Sequence, residues 1–351
     1  MGRIKADGRR THELPIVSAD TSAALFELAD EFVRIKPWET IGNADFINVV
    51  DENSGRSGWA VVLGHAGEVF GLALYQGLQG LSQLQTLLAS DDGIPTMGFD
   101  YVASLDLLNF NWVPGPELGE IDRKVLKAAG RPTEGKKRYH QFQSYRPGYV
   151  AWALDEEEAL FLTRGMQAAL ALKRILDRGN NPFVPDLVPS FKFTRHGKLE
   201  LGLVKPGSWQ APELEPPSLA PAVSAKLRAM PHSGTWQGGH FFGHAQVLDK
   251  DRPYHFHVAA FVEDGGGYAF PPNAFAPSDS LAQALADCLV TAAEKEGVMP
   301  SVIEFSDARL VRALAPLLSG LGIKAAHRAE LPAFDELADA LRMHLVHNPP
   351  K

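Results

Sequence analysis

Apolar residues recur along this chain at two spacings, one near 3.6 and one of 2, and their alternation gives an order of elements. The first helical stripe runs from Asp20, a good N-cap, through Leu25, Leu28 and Phe32, and stops before Pro37. Three strand-like runs follow, FINVV, WAVVLGH and FGLALY. They are joined by DENSGRSG and HAGE, whose Gly, Asn and Asp suit hairpin turns. Next come a helix LQGLSQLQTLLA, a strand in DYVASLDLLNFNWV, a helix over residues 117–129 and a strand HQFQSYRPGYVAW. Asp155 then caps a long helix striped by Leu162, Met166, Ala169, Leu172 and Leu176. Its first turn holds Glu156, Glu157 and Glu158, where the helix dipole favours anions.

The helical period ends after Gly179, and a hairpin FKFTRHGKLELGLV leads into a stretch from Pro206 to Pro221 with five prolines. Such a stretch predicts a domain boundary. Beyond it lie three strands, HFFGHAQVL, YHFHVAAFV and GYAFPP, and a helix from Ser280, whose Ser280 and Gln283 have capping-box spacing. A strand SVIEF, a helix from Asp307 interrupted by Pro316, a strand KAAHRAEL and a helix striped by Phe334, Leu337, Leu341 and Leu345 complete the chain. The expected organisation is a flexible arm over residues 1–19, an N-terminal α/β domain over 20–205, a linker over 206–220 and a C-terminal α/β domain over 221–351.

Antiparallel runs followed by alternating helices and strands predict an α/β (α+β) class: two mixed sheets with helices on their faces. In the C-terminal part the order is three strands, helix, strand, helix, strand, helix, which resembles the ribonuclease-H-like topology. Residues 46–176 can be read in the same order, so a duplicated fold is expected from element order alone. Two stretches carry a further resemblance. PWETIGNADFINVV, GWAVVLGHAGEVFGLALYQGLQGL and QSYRPGYVAWALDEEEALFL resemble the N-terminal region of a family of uncharacterised bacterial proteins, chiefly through Trp38, Glu39, Gly64, Gly67, Glu68, Gly71 and Tyr75. PSVIEFSDARLVRALAPLLSGLGIKAAHRAELPAFDELADAL resembles a second domain, of unknown function, often joined to the first. The resemblance implies the domain division and no activity.

At 351 residues with 45% hydrophobic content, the chain is long enough for two buried cores. The net charge of −8 argues against a nucleic-acid partner, because phosphate backbones are held by clustered Lys and Arg. No run approaches the roughly 18 apolar residues of a membrane span, and the basic start has no secretory core. The single cysteine, Cys288, fits a reducing compartment, so a cytoplasmic location is expected. Cys288 shares a helical stripe with Leu281, Leu285 and Ala292 and reads as a small buried hydrophobe.

The glycines of GHAGEVFGLALYQGLQG lack both the phosphate-loop and the dinucleotide spacing, and they read as turn residues. Four histidines are more informative. On neighbouring strands His240 and His244 oppose Phe241, Ala245 and Val247, while His255 and His257 oppose Phe256, Val258 and Val262. If both apolar sets face the core, the imidazoles gather on the other face. There they can bind a divalent metal, Zn²⁺ or Mn²⁺, with Glu263 or Asp249 as oxygen ligands, unless a slip of register scatters them.

Nucleases of ribonuclease-H-like fold hold two metal ions with carboxylates on the first strand, first helix, fourth strand and last helix. The C-terminal part offers Asp307 after its fourth strand, Asp287 or Glu294 on its first helix, and Asp335, Glu336 or Asp339 on its last. Its first strand has His244, not aspartate, near the middle. The N-terminal part has Asp106 on its fourth strand, but Asp51 only at the end of its first. Asp307 and Asp335 are therefore the catalytic candidates of an incomplete set, and Asp307 has a competing role as a helix cap. No cofactor-binding motif is present. The reading this supports is a non-enzymatic binding or regulatory protein with a protein or small-molecule ligand. The alternative is a divalent-metal-dependent hydrolase or nuclease centred on the C-terminal domain.

Overall fold

The computed structural model describes residues 14–67, 69–90, 98–135, 137–248 and 252–347. Two compact units result. One comprises the chain to Pro147 with Ala151–Gln210 and Lys250–Arg252; the other comprises Gly148–Val150, Ala211–Asp249 and Pro253–Lys351. The expected arm lies outside the described residues as far as residue 13. Of its remainder, Val17 packs against the N-terminal core, and Ser18 caps the first helix by accepting from the Thr21 N–H.

The N-terminal unit contains α1 (Ala19–Ile35), β1 (Phe46–Asp51), β2 (Arg56–Leu63), β3 (Gly71–Gln76), α2 (Gly77–Leu88), α3 (Gly98–Ala103), β4 (Leu107–Pro114), α4 (Glu120–Ala128), β5 (Arg138–Tyr145), α5 (Glu156–Asp177), β6 (Val188–Phe193) and β7 (Leu199–Val204). Its sheet runs β5-β4-β3-β2-β1-β6-β7, with β1 and β6 parallel and the other neighbours antiparallel. Alternation along the strands builds two cores. Ala60, Val62, Leu72 and Leu74 pack under α1 and α5, whereas Trp59, Val61, Ala73 and Tyr75 pack with Leu81 and Leu84 of α2. Residues 98–103 are helical, although 100–103 are expected within a strand. Tyr101 and Ala103 alternate as a strand would, but the Ser104 N–H closes a turn on the Asp100 carbonyl, and the Tyr101 hydroxyl donates to the Gln83 carbonyl.

The expected duplication does not extend to this unit. In a ribonuclease-H-like order the fourth strand lies parallel to the first; here β4 pairs antiparallel with β3, and β6 takes the place beside β1. Gly71 is part of the reason. A Cβ there would stand 1.9 Å from the Phe110 carbonyl oxygen, so glycine admits the close approach of β4.

The C-terminal unit contains α6 (Pro221–Arg228), β8 (Thr235–Val247), β9 (Tyr254–Glu263), β10 (Asn273–Phe275), α7 (Leu281–Glu296), β11 (Val302–Phe305), α8 (Ala308–Gly320), β12 (Lys324–His327) and α9 (Pro332–His347). The sheet order is β10-β9-β8-β11-β12, with β8, β9 and β10 antiparallel and β11 parallel to both β8 and β12. That is the ribonuclease-H-like order expected from the sequence. Trp236, Ala259, Phe261, Ile303 and Phe305 form the core under α7 and α8. Phe241, Val258, Ala260 and Val262 face Leu331, Phe334 and Ala338 around α9. Helix boundaries follow the chemistry read from the chain: Ser280 and Asp307 accept from the Gln283 and Arg309 N–H groups, and Gly297 ends α7 in the left-handed conformation at φ 69°.

The proline-rich stretch is packed where it enters this unit. Leu214 and Leu219 lie against the core, and Ser218 exchanges hydrogen bonds with the Gln283 side chain, as donor at 3.0 Å and as acceptor at 3.2 Å. Arg312 pairs with Glu213 at 2.6 Å.

Candidate functional site

Two features of β8 and β9 position the histidines. The pair is antiparallel with Phe242 opposite His257 and His240 opposite Ala259, and a register irregularity falls between Gly243 and Gln246, after which Gln246 stands opposite His255. The apolar sets Phe241, Val258 and Val262 share the α9 face, as the parity argument expects, so His240 and His257 lie on the face of α7 and α8. Electrostatic interaction links His244 to His255, His255 to His257, and His257 to His240. Among the described residues, no group of three or more His, Cys, Asp or Glu side chains could hold a metal ion.

His257 is the buried member at 9% exposure. The Phe242 and Phe275 rings stand edge-on to it, with centroids 4.6 and 5.1 Å away. Its Nε2 lies against the Gly148 backbone, which favours the protonated ring, but among the described residues it has no partner of full hydrogen-bond geometry. A Cβ on Gly148 would come within 2.3 Å of that nitrogen, so only glycine lets the chain pass there, at φ +82°. Burial, reinforced by His240 and His255, pushes the His257 pKa down to about 4. The imidazole is therefore neutral near pH 7. Burial and His244 lower His255 in the same way.

Asp307 interacts electrostatically with His240. In the parallel pairing of β11 with β8, Glu304 is level with Gln237, and continuing that register brings Asp307 level with His240. Burial opposes the Asp307 charge. Hydrogen bonds from the Arg309 side chain and backbone, the Arg309 charge and His240 nevertheless hold the carboxyl below its ordinary range. Its oxygens accept from Arg309 Nε at 3.0 Å and Nη2 at 2.7 Å, and from the Arg309 N–H at 2.8 Å. Asp307 thus caps α8 and carries an ion pair.

Several of the other carboxylates considered from the sequence are bonded elsewhere. Asp287 accepts from Gln283, Glu294 pairs with Lys226 and Asp339 pairs with Arg342. Asp335 is exposed in the first turn of α9. Glu263 ends β9 opposite Trp236, far along the strand from His255, and Asp249 lies outside the described residues. In the N-terminal unit Asp51 accepts from the Asn53 N–H and the Ser54 hydroxyl of a turn. Asp106 accepts from Gln76 Nε2 at 2.8 Å, and burial raises its pKa. The glycines behave as turn residues: Gly64 and Gly67 have positive φ between β2 and β3, and Gly77 has φ +59° where α2 begins.

Sequence reasoning did not anticipate Gln237 or Gly148. Gln237 is fully buried, donating to Asp264 at 3.0 Å and accepting the Phe334 N–H at 3.1 Å, which seats the start of α9 on the sheet. A glutamine inside an otherwise apolar strand is the one available signal for it. Gly148, more than a hundred residues from His257, leaves none.

No curated protein matches the chain. Among solved structures, the catalytic core domain of HTLV-2 integrase in complex with magnesium, in its dimeric and trimeric forms, is similar at 15% identity and a TM-score of 0.24, covering 35% of this chain and 78% of that one. The C-terminal topology rests on its own strand order. Residues 23–186 match the family model described as Domain of unknown function (DUF7309), and residues 224–342 match the one described as Domain of unknown function (DUF6930), so the chain joins segments similar to two such domains.

Proposed function

We propose that this chain is a non-enzymatic binding protein acting in the cytoplasm, and that its C-terminal unit keeps a ribonuclease-H-like frame without the two-metal chemistry associated with that frame. One observation carries the reading: Asp307 is engaged by Arg309 and the start of α8, and the β11–β8 register, continued from Glu304 and Gln237, sets His240 and not a carboxylate level with it. A two-metal site needs acidic oxygens facing each other across neighbouring strands. The candidate helix carboxylates are bonded to Gln283 and Lys226 instead.

The alternative is a divalent-metal-dependent hydrolase or nuclease. In its favour, His257 is neutral and interacts electrostatically with His240, and a neutral imidazole is a donor type suited to Zn²⁺. One experiment separates the two. Purified protein is screened for hydrolysis of nucleic acids and of phosphate and carboxylic esters with Mg²⁺, Mn²⁺ or Zn²⁺, and its melting temperature is read in parallel. The expected result is no turnover and no shift. Turnover abolished by Asp307→Asn, or a Zn²⁺-dependent shift abolished by His257→Gln, would overturn the binding-protein reading.

A further inference from the structure

The N-terminal unit carries a cavity of about 520 Å³ between α1 and α4. Its floor is Phe142, Leu154 and Ala159, all buried. Ala23 and Phe26 of α1 make one wall, and Val125 and Ala128 of α4 make the other. The segment Leu14–Val17 closes it on a further side, and Ile16 within that segment is 90% exposed. Protein interiors pack without voids of this size. The volume and apolar lining are those of small-molecule pockets, which fall at roughly 300–1,000 Å³.

The polar groups at the pocket decide what kind of molecule fits. Arg131 lines it, but its Nη1 is paired with Asp30 at 2.9 Å, and its guanidinium lies over the Phe26 ring at 5.1 Å. Glu27 lines the same rim. An anionic head group would meet Glu27, and a cationic one would meet Arg131. A charged ligand therefore gains little at either end and loses its hydration. We propose that this pocket binds an uncharged, hydrocarbon-rich small molecule, of the class of medium-chain alcohols and small terpenoids, held by apolar burial. Nothing in the pocket depends on the C-terminal histidines.

The test uses the full chain and the neutral dye N-phenyl-1-naphthylamine, whose emission rises in apolar surroundings. Decanol, decanoate and decylammonium serve as competitors below their micelle-forming concentrations. Dye binding is expected, with displacement by decanol at concentrations at least about tenfold lower than by either charged chain. Ala23 and Ala128 line the pocket with exposed side chains, so Ala23→Phe and Ala128→Phe fill it without disturbing the core. Each is expected to weaken dye binding about tenfold or more at an unchanged melting temperature. Equal displacement by all three competitors, or dye binding unaffected by both substitutions, would overturn the proposal. So would dye binding that disappears as the protein concentration rises and a dimer forms, which would assign the groove to a second copy of the chain.

Discussion

His257 sits where protonation opposes folding. The Phe242 and Phe275 rings flank it; burial, then His240 and His255, lower its pKa, and the Gly148 backbone and Asp279 act in the opposite direction more weakly. With an ordinary value of 6.5 and a folded value of about 4, the unfolded chain binds more protons between those two pH values. The contribution of His257 to stability is therefore complete above about pH 6.5 and is lost as the pH falls toward about 4, by up to about 3 kcal/mol. Urea midpoints of the parent chain and of His257→Phe, measured near pH 7 and near pH 4.5, should show the parent losing more on acidification. Equal losses would remove His257 from the account. Strand parity made part of this environment legible, since it places His257 opposite the α9 core. The depth of burial was not legible, because it comes from Phe275 on the next strand and from Gly148, and neither lies within the local pattern.

At the start of α5, three consecutive glutamates read alike in the sequence, as anions favoured by a helix N-terminus, and the fold gives each a different task. Glu156 reaches the start of α1, accepting from the Ser18 N–H at 2.7 Å and the Thr21 hydroxyl at 2.6 Å. Glu157 is exposed. Glu158, 1% exposed, completes a capping box with Asp155 and accepts from the Ser144 hydroxyl at 2.7 Å and from Arg146 at 2.8 and 3.0 Å. Ser144 in turn accepts at its hydroxyl from the buried Arg252, 3.1 Å away. Removing one member of such a buried network leaves its partners unpaired. Glu158→Ala should cost about 3 kcal/mol in denaturant unfolding, while Glu157→Ala should fall within about 0.5 kcal/mol of the parent. Comparable effects for both would mean that the dipole, and not the network, governs this turn. The cap was legible from Asp155 onward. The division of labour was not, because it depends on β5 and α1 meeting the helix end in space.

Across the whole molecule, element order was sufficient for the C-terminal unit and misleading for the N-terminal one. Right-handed crossovers through α7 and α8 leave β11 and β12 little choice but to lie parallel to β8, so the order of elements nearly dictates the sheet. In the N-terminal unit β4 can join either edge of the first three strands, and the pairing it takes needs a close approach at Gly71, which periodicity does not register. If the C-terminal frame places His240 where a metal-binding carboxylate belongs, restoring the acid should restore part of the chemistry. His240→Asp brings a second carboxylate level with Asp307. Without metal, the like charges should lower the melting temperature. Millimolar Mg²⁺, a cation that takes oxygen ligands, should raise it by about 2 °C or more in the variant and leave the parent unchanged. Hydrolysis should stay absent, because Asp287 and Glu294 remain engaged by Gln283 and Lys226. A folded His240→Asp protein indifferent to Mg²⁺ would show that the register past Phe305 does not bring the two positions together, and the equivalence drawn from strand order would fail with it.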